Sequence, residues 1–299
     1  MISRRNLMAS IGAGVASAAA SRAMAQSFPF KPNQRYPDPA IEILDPSFAK
    51  YRIYSSTLEQ VATGMRWVEG PIYFPEGNYL LFSDIPNNRI MKYSEKDGSL
   101  SVFRSPANFA NGNTRDRQGR LVTCEHSVTR LITRTEKNGK LKAVITDLVN
   151  PNGLAFSPDE RKLYVVEWKG TPNRRIWSYD VNPDGTVGNK TKLIDAADQG
   201  SLDGFRVDRD GNLWCGWGSN GALQSEPTDV NGRKVYQLKG RPEDLDGVMV
   251  FSPQGKPLAF IRLPERCENL TFGGPKNNRL YMAACHSIYA LYVEAHGAT

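Results

Sequence analysis

One phrase of apolar and polar positions recurs along this chain. It runs a glycine, a short alternating strand, a turn and a second strand. Gly70 opens GPIYFPEGNYLLFSD, Gly112 opens GNTRDRQGRLVTCEH, Gly153 opens GLAFSPDERKLYVVE, and Gly204 opens GFRVDRDGNLWCGW. A degenerate fifth copy, NLTFGGPKNNRLYMAAC, begins at Asn269. The four glycines stand 42, 41 and 51 residues apart, about the length of one four-stranded propeller blade. The repeat predicts an all-β propeller with about five blade repeats visible.

The segments between copies fit the same architecture. Lys96-Asp97-Gly98, Lys137-Asn138-Gly139, Pro183-Asp184-Gly185, Arg209-Asp210-Gly211 and Pro253-Gln254-Gly255 supply hairpin turns. Flanking runs such as Arg89–Tyr93 and Arg175–Tyr179 alternate as half-buried strands do. Asp208-Arg209-Asp210-Gly211-Asn212 looks like part of a calcium loop, but no closing Glu or flanking helix follows, so it is expected to be a turn.

The first 25 residues read as a targeting segment rather than as part of the fold. Arg4 and Arg5 precede an Ala/Gly-rich stretch that ends in Ala23-Met24-Ala25, a small-x-small cleavage pattern. Ser3-Arg4-Arg5-Asn6-Leu7 resembles a twin-arginine export signal, which implies a periplasmic protein. Residues 26–40 are proline-rich and are expected to form an extended arm, with the propeller over 41–299. No other stretch is apolar for long enough to span a bilayer, so no membrane span is expected after cleavage.

The formal charge of +7 falls to about +4 without Arg4, Arg5 and Arg22. The remaining basic residues are scattered and not interleaved with aromatics, which argues against a nucleic-acid surface. Cys124, Cys215, Cys267 and Cys285 show no CxxC pairing. They are read as free structural thiols, small and apolar inside strands.

Several common chemistries are missing from the chain: there is no GxSxG, HExxH, GxGxxG or Walker sequence. Three histidines, His126, His286 and His296, make a His-rich zinc site improbable. What stands out is the residue before three of the repeat glycines: Glu69, Asn152 and Asp203. Equivalent positions of successive blades point into one channel. Two carboxylates and an amide carbonyl suit a hard divalent cation. The same residues could instead cap their strands through backbone hydrogen bonds. On the residues alone, both readings stay open.

Further motifs carry a family resemblance. Trp67-Val68-Glu69-Gly70-Pro71, Asn111-Gly112-Asn113-Thr114, Asp116–Leu121, Cys124-Glu125-His126, Pro151–Asp159, Asp203–Asp208 and Phe272-Gly273-Gly274 occur in order across residues 60–295. Together they resemble the gluconolactonase branch of the senescence-marker-protein (regucalcin)/gluconolactonase family. The resemblance implies a six-bladed propeller that hydrolyses sugar lactones with one divalent cation, Ca²⁺ first and Zn²⁺, Mn²⁺ or Mg²⁺ as alternatives. It implies Glu69, Asn152 and Asp203 as metal ligands, Asp203 as general base, and Asn113 and His126 as substrate contacts.

In one respect the chain departs from the family. Members of this branch carry a further blade between that of His126 and that of Asn152. Here Arg134–Lys140 runs through Val144–Leu148 straight into Asn150-Pro151-Asn152. The segment Ile41–Ser55 is one candidate to fill the gap. Two other functions therefore stay in view: a catalytically impaired propeller that binds a sugar acid or a partner protein, and a hydrolase of a different ester.

Overall fold

The computed structural model describes residues 30–298, except 116–120, 126–131, 136–140, 149–150, 168–174, 197–199, 219–227, 232 and 236–240. Residues 1–25, expected to be an export signal, and His126 lie outside the described residues.

Every repeat glycine opens the inner strand of a blade. The five inner strands are Val68–Phe74, Ala110–Arg115, Pro151–Phe156, Ser201–Val207 and Cys267–Gly273, called first to fifth below. The first, third, fourth and fifth each begin a sheet of at least four antiparallel strands. In the first and third each strand pairs with the next in sequence. In the fourth Leu213–Gly218 pairs with Gly247–Phe251, and the outermost strands of the fourth and fifth come from the N-terminal part of the chain. Among the described residues the second repeat gives two separate hairpins, Ala110–Arg115 with Leu121–Glu125 and Ile132–Thr135 with Leu141–Ile145.

The N-terminal part of the chain sits elsewhere than in the proposed gap. Ile41–Ile43 pairs with the outer edge of the fourth blade, Ile41 opposite Ile261. Glu59–Thr63 forms the outer strand of the fifth blade, antiparallel to Ser287–Tyr292. The two ends of the propeller are thus joined in one sheet. The expectation that Ile41–Ser55 fills the missing blade's place is corrected by this pairing: backbone donors and acceptors of Ile41–Ile43 are used at an existing sheet edge.

Inner strand packs on inner strand in the order second, first, fifth, fourth, third. Among the described residues, no comparable packing joins the third to the second. That is where the family resemblance leads one to expect a blade that the sequence does not show. On the third strand Leu154 and Phe156 are 44% and 46% exposed, a face that a neighbouring blade would cover.

Between the other blades the packing is dense. Trp214 of the fourth blade meets Phe272 of the fifth with ring centroids 5.5 Å apart and Phe48 of the N-terminal segment at 5.6 Å. Within the fourth blade Trp217 meets Phe251 at 5.9 Å. Each such side chain contributes about 1.5–3 kcal/mol by leaving water. Polar ties cross the same seams. Glu95 accepts hydrogen bonds from Tyr73 (2.5 Å), Tyr281 (2.7 Å) and Arg279 (2.8 Å), linking the first blade to the fifth.

Each inner strand also carries a register shift. The shifts fall between Glu69 and Ile72, Ala110 and Asn113, Pro151 and Leu154, Leu202 and Phe205, and Cys267 and Asn269. Such bulges re-aim side chains out of the regular pleat. At two of these bulges, those of Gly70 and Gly153, neighbouring backbone comes too close for a side chain, whereas an added Cβ at Gly112 would meet open space. At Gly70, with φ +53°, an added Cβ would lie 2.3 Å from the Asn111 carbonyl oxygen. At Gly153 it would lie 2.9 Å from the Asp203 carbonyl oxygen.

Candidate cation-binding channel

The bulges bring the residues before the glycines together. Asn152 Nδ2 donates to Asp203 Oδ1 across 2.6 Å. The other carboxylate oxygen of Asp203, Oδ2, accepts from Arg266 Nη2 at 2.9 Å. Glu69 Oε2 accepts from the Gly70 amide at 2.8 Å and from Asn269 Nδ2 at 3.0 Å.

Glu268 belongs to the same group. It occupies the bulge of the fifth inner strand, the place taken by Glu69, Asn152 and Asp203 in theirs. Its Oε2 lies 3.4 Å from Arg266 Nη2, and its Oε1 accepts a weak hydrogen bond from Cys285 Sγ at 3.7 Å. Asn269 replaces the repeat glycine, and its side chain lies over Gly204, where an added Cβ would meet Asn269 Cγ at 2.2 Å.

Burial and mutual repulsion govern the electrostatics of this group. Glu69 is raised from an ordinary 4.5 to about 7, first by burial and then by the charge of Asp203. Burial also pushes Asp203 well above the usual carboxylate range, with Glu268 raising it further and Arg266 opposing. Glu268 is raised as well, again first by burial. Arg206 is half-buried nearby, its pKa lowered by desolvation and supported by the charge of Glu69. Three carboxylates in one desolvated space are an unfavourable arrangement unless positive charge joins them.

The donor types fit a hard divalent cation. Glu69, Asp203 and the Asn152 carbonyl offer oxygen, and a cation would relieve the carboxylate repulsion. Among the described residues, no three His, Cys, Asp or Glu side chains are gathered tightly enough to cage an ion by themselves. Both oxygens of Asp203 are instead satisfied by Asn152 and Arg266.

Asn113 stands apart from this group. It is buried, and its Nδ2 donates to the Gly70 carbonyl and to Ser83 Oγ, both at 2.9 Å, while its Oδ1 accepts from Thr123 Oγ1 at 2.9 Å. It therefore ties the first blade to the second. Asp208, at the calcium-loop look-alike, is a turn residue: its Oδ1 accepts from the Asp210 and Asn212 amides, and its Oδ2 from Trp214 Nε1. Cys215, Cys267 and Cys285 are free thiols.

Comparison with known proteins agrees with the fold. The SMP-30/Gluconolactonase/LRE-like region matches residues 67–137 and 130–286. The two matched stretches overlap at residues 130–137, between the second and third inner strands. The gluconolactonase of Zymomonas mobilis is 24% identical over 81% of this chain and 83% of its own. A pentonolactonase of Haloferax volcanii is 23% identical over 74% of this chain and 82% of its own. Among solved structures, a gluconolactonase from Xanthomonas campestris superposes with a TM-score of 0.65 at 24% identity, covering 85% of this chain and 94% of that one. The calcium-binding protein regucalcin from Agrobacterium tumefaciens gives 0.59 at 16% identity, covering 79% and 93%. With matching segments spread over most of its length, the chain belongs to the SMP-30/gluconolactonase/LRE-like family.

Proposed function

We propose that this protein hydrolyses a sugar lactone to the open-chain hydroxy acid, with a divalent cation held by Glu69, Asn152 and Asp203. The observation that carries the reading is the meeting of Asn152 with Asp203, from separate blades, beside the buried Glu69. Relatives named gluconolactonase, pentonolactonase and L-arabinolactonase support the substrate class.

A bound cation would polarise the lactone carbonyl and stabilise negative charge on its oxygen. Asp203 takes a proton from the attacking water. The water oxygen bonds to the carbonyl carbon, the ring C–O bond breaks, and the ring oxygen leaves as a hydroxyl after receiving a proton. Asn152 holds Asp203 in place through its amide, which fixes the direction of the basic oxygen. Asn113 sets the spacing of the first two blades, and His126 remains the candidate contact for substrate hydroxyls.

The Ser3–Leu7 sequence supports export by the twin-arginine route and work in the periplasm. A second reading draws on the lack of packing between the second and third inner strands: a propeller that binds a sugar acid without turnover.

Acid release from δ-gluconolactone and from pentonolactones separates the two readings. Turnover that falls on chelation and returns with Ca²⁺, Mn²⁺, Zn²⁺ or Mg²⁺ supports the lactonase. A protein inert on every lactone, with or without these ions, sinks it.

A further inference from the structure

Arg266 lies immediately before the fifth inner strand and reaches two carboxylates with a single nitrogen. Its Nη2 is 2.9 Å from Asp203 Oδ2 and 3.4 Å from Glu268 Oε2. This is a split contact, unlike the bidentate fork by which guanidinium groups lock onto a carboxylate. The Nε of the same side chain is buried and, among the described residues, has no hydrogen-bond partner. The guanidinium therefore stays short of its full complement of bonds.

The path of the stem is also specific. It crosses the end of the strand Leu213–Gly218 at Gly218, where an added Cβ would lie 2.5 Å from Arg266 Cγ and 2.7 Å from Cδ. The lack of a side chain at 218 makes the groove in which the arm lies. Glu268, the second carboxylate within reach, is buried and carries a further contact only from Cys285 and the Asp203 region among those described above.

We propose that Arg266 is a built-in counter-cation: it holds Asp203 until a divalent cation claims that carboxylate, and Glu268 is the acceptor onto which the guanidinium then shifts. The inference rests on the reading that Glu69, Asn152 and Asp203 take the cation. Arg266 is a positioning residue in this scheme, acting through Asp203, and its positive charge opposes a second cation at the same oxygens.

Calorimetric titration of the purified protein with Ca²⁺ and with Mn²⁺, at one fixed pH, tests this without reference to turnover. Arg266→Gln is expected to bind at least tenfold more tightly than the wild type, and Arg266→Lys, which keeps the charge, to stay within threefold of it. Glu268→Gln should weaken binding more in the presence of Arg266 than in the Arg266→Gln background. If Arg266→Gln does not fold, Gly218→Ala pushes the arm off Asp203 while keeping its charge, and about threefold tighter binding is expected. Wild-type binding with an unchanged or weaker affinity in Arg266→Gln, or in Gly218→Ala where that variant stands in for it, overturns the inference alone. No binding of either ion by wild type and variant overturns it together with the metal site.

Discussion

Asn152 Nδ2 donates to Asp203 Oδ1 across 2.6 Å, although the two residues are 51 positions apart in the chain. The contact exists because both precede a bulge glycine on adjacent inner strands, the third and the fourth. Gly153 lets the third strand lie against the Asp203 backbone, and no larger residue fits between them.

Removing the charge at this contact is expected to stop hydrolysis and leave the fold intact. Asp203→Asn should lower kcat/KM for lactone by roughly 10²–10⁴, the range for loss of a general base. Glu69→Gln should fall in the same range through loss of a cation ligand. Normal turnover in either variant, checked beside its circular dichroism spectrum, contradicts the site assignment.

Stability in the presence of chelator should fall as pH rises. Glu69 in the folded protein keeps its proton up to about 7, whereas the unfolded chain releases it near 4.5. Between those values the folded state binds a proton that the unfolded state lacks, so raising pH favours unfolding. The effect of Glu69 is fully absent below about 4.5 and complete above about 7, on the order of 3 kcal/mol. Denaturant melts between pH 5 and 8 check it: the wild type should lose stability across this window, and Glu69→Gln should lose markedly less.

The crowded bulge at Gly70 should tolerate no side chain. Gly70→Ala combines the positive φ with a Cβ placed 2.3 Å from the Asn111 carbonyl oxygen. A loss of roughly 2 kcal/mol or more is expected. Gly98→Ala is the control, since its turn leaves open space around an added Cβ although its φ is also positive at +69°. Equal destabilisation of the two would place the whole cost in φ and none in the close approach of the strands.

The tie between the first and fifth blades should be costly to break. Arg279 donates through Nη1 to Glu95 and through Nη2 to Glu59, both at 2.8 Å, with Glu95 also held by two tyrosine hydroxyls. Glu95→Ala leaves Arg279 with one carboxylate fewer, takes the acceptor from the Tyr281 hydroxyl and leaves Tyr73 only its longer bond to Asn78 Oδ1 at 3.3 Å. About 3 kcal/mol of lost stability is expected, with catalytic constants per folded molecule unchanged. A shift under 0.5 kcal/mol contradicts it.

Much of this was legible in the sequence because one physical constraint repeats. Each glycine lies at a register shift of an inner strand, so Gly70, Gly112, Gly153 and Gly204 marked the strands. The residues before three of them, Glu69, Asn152 and Asp203, marked buried or half-buried polar positions. The fifth repeat hid its contribution. Asn269 replaces the glycine there, so the eye starts at Asn269 and passes over Glu268 just before it, and over Arg266. The signal was present: aligning NLTF with GLAF puts Glu268 in register with Asn152. Asn113 carries a structural part that the sequence did not signal, since a polar residue after a repeat glycine reads first as a channel residue. Its amide bonds across the seam between blades, which only the packing of those blades reveals. The outer-strand role of Glu59–Thr63 was similarly invisible, since it depends on pairing across more than 220 residues with Ser287–Tyr292.

Whether Glu69, Asn152 and Asp203 share one ion is tested most directly by anomalous diffraction from crystals grown with Mn²⁺. A single strong peak is expected within about 2.0–2.6 Å of an oxygen from each of the three side chains. A peak bound elsewhere, or none at saturating Mn²⁺, would contradict a shared cation in this channel.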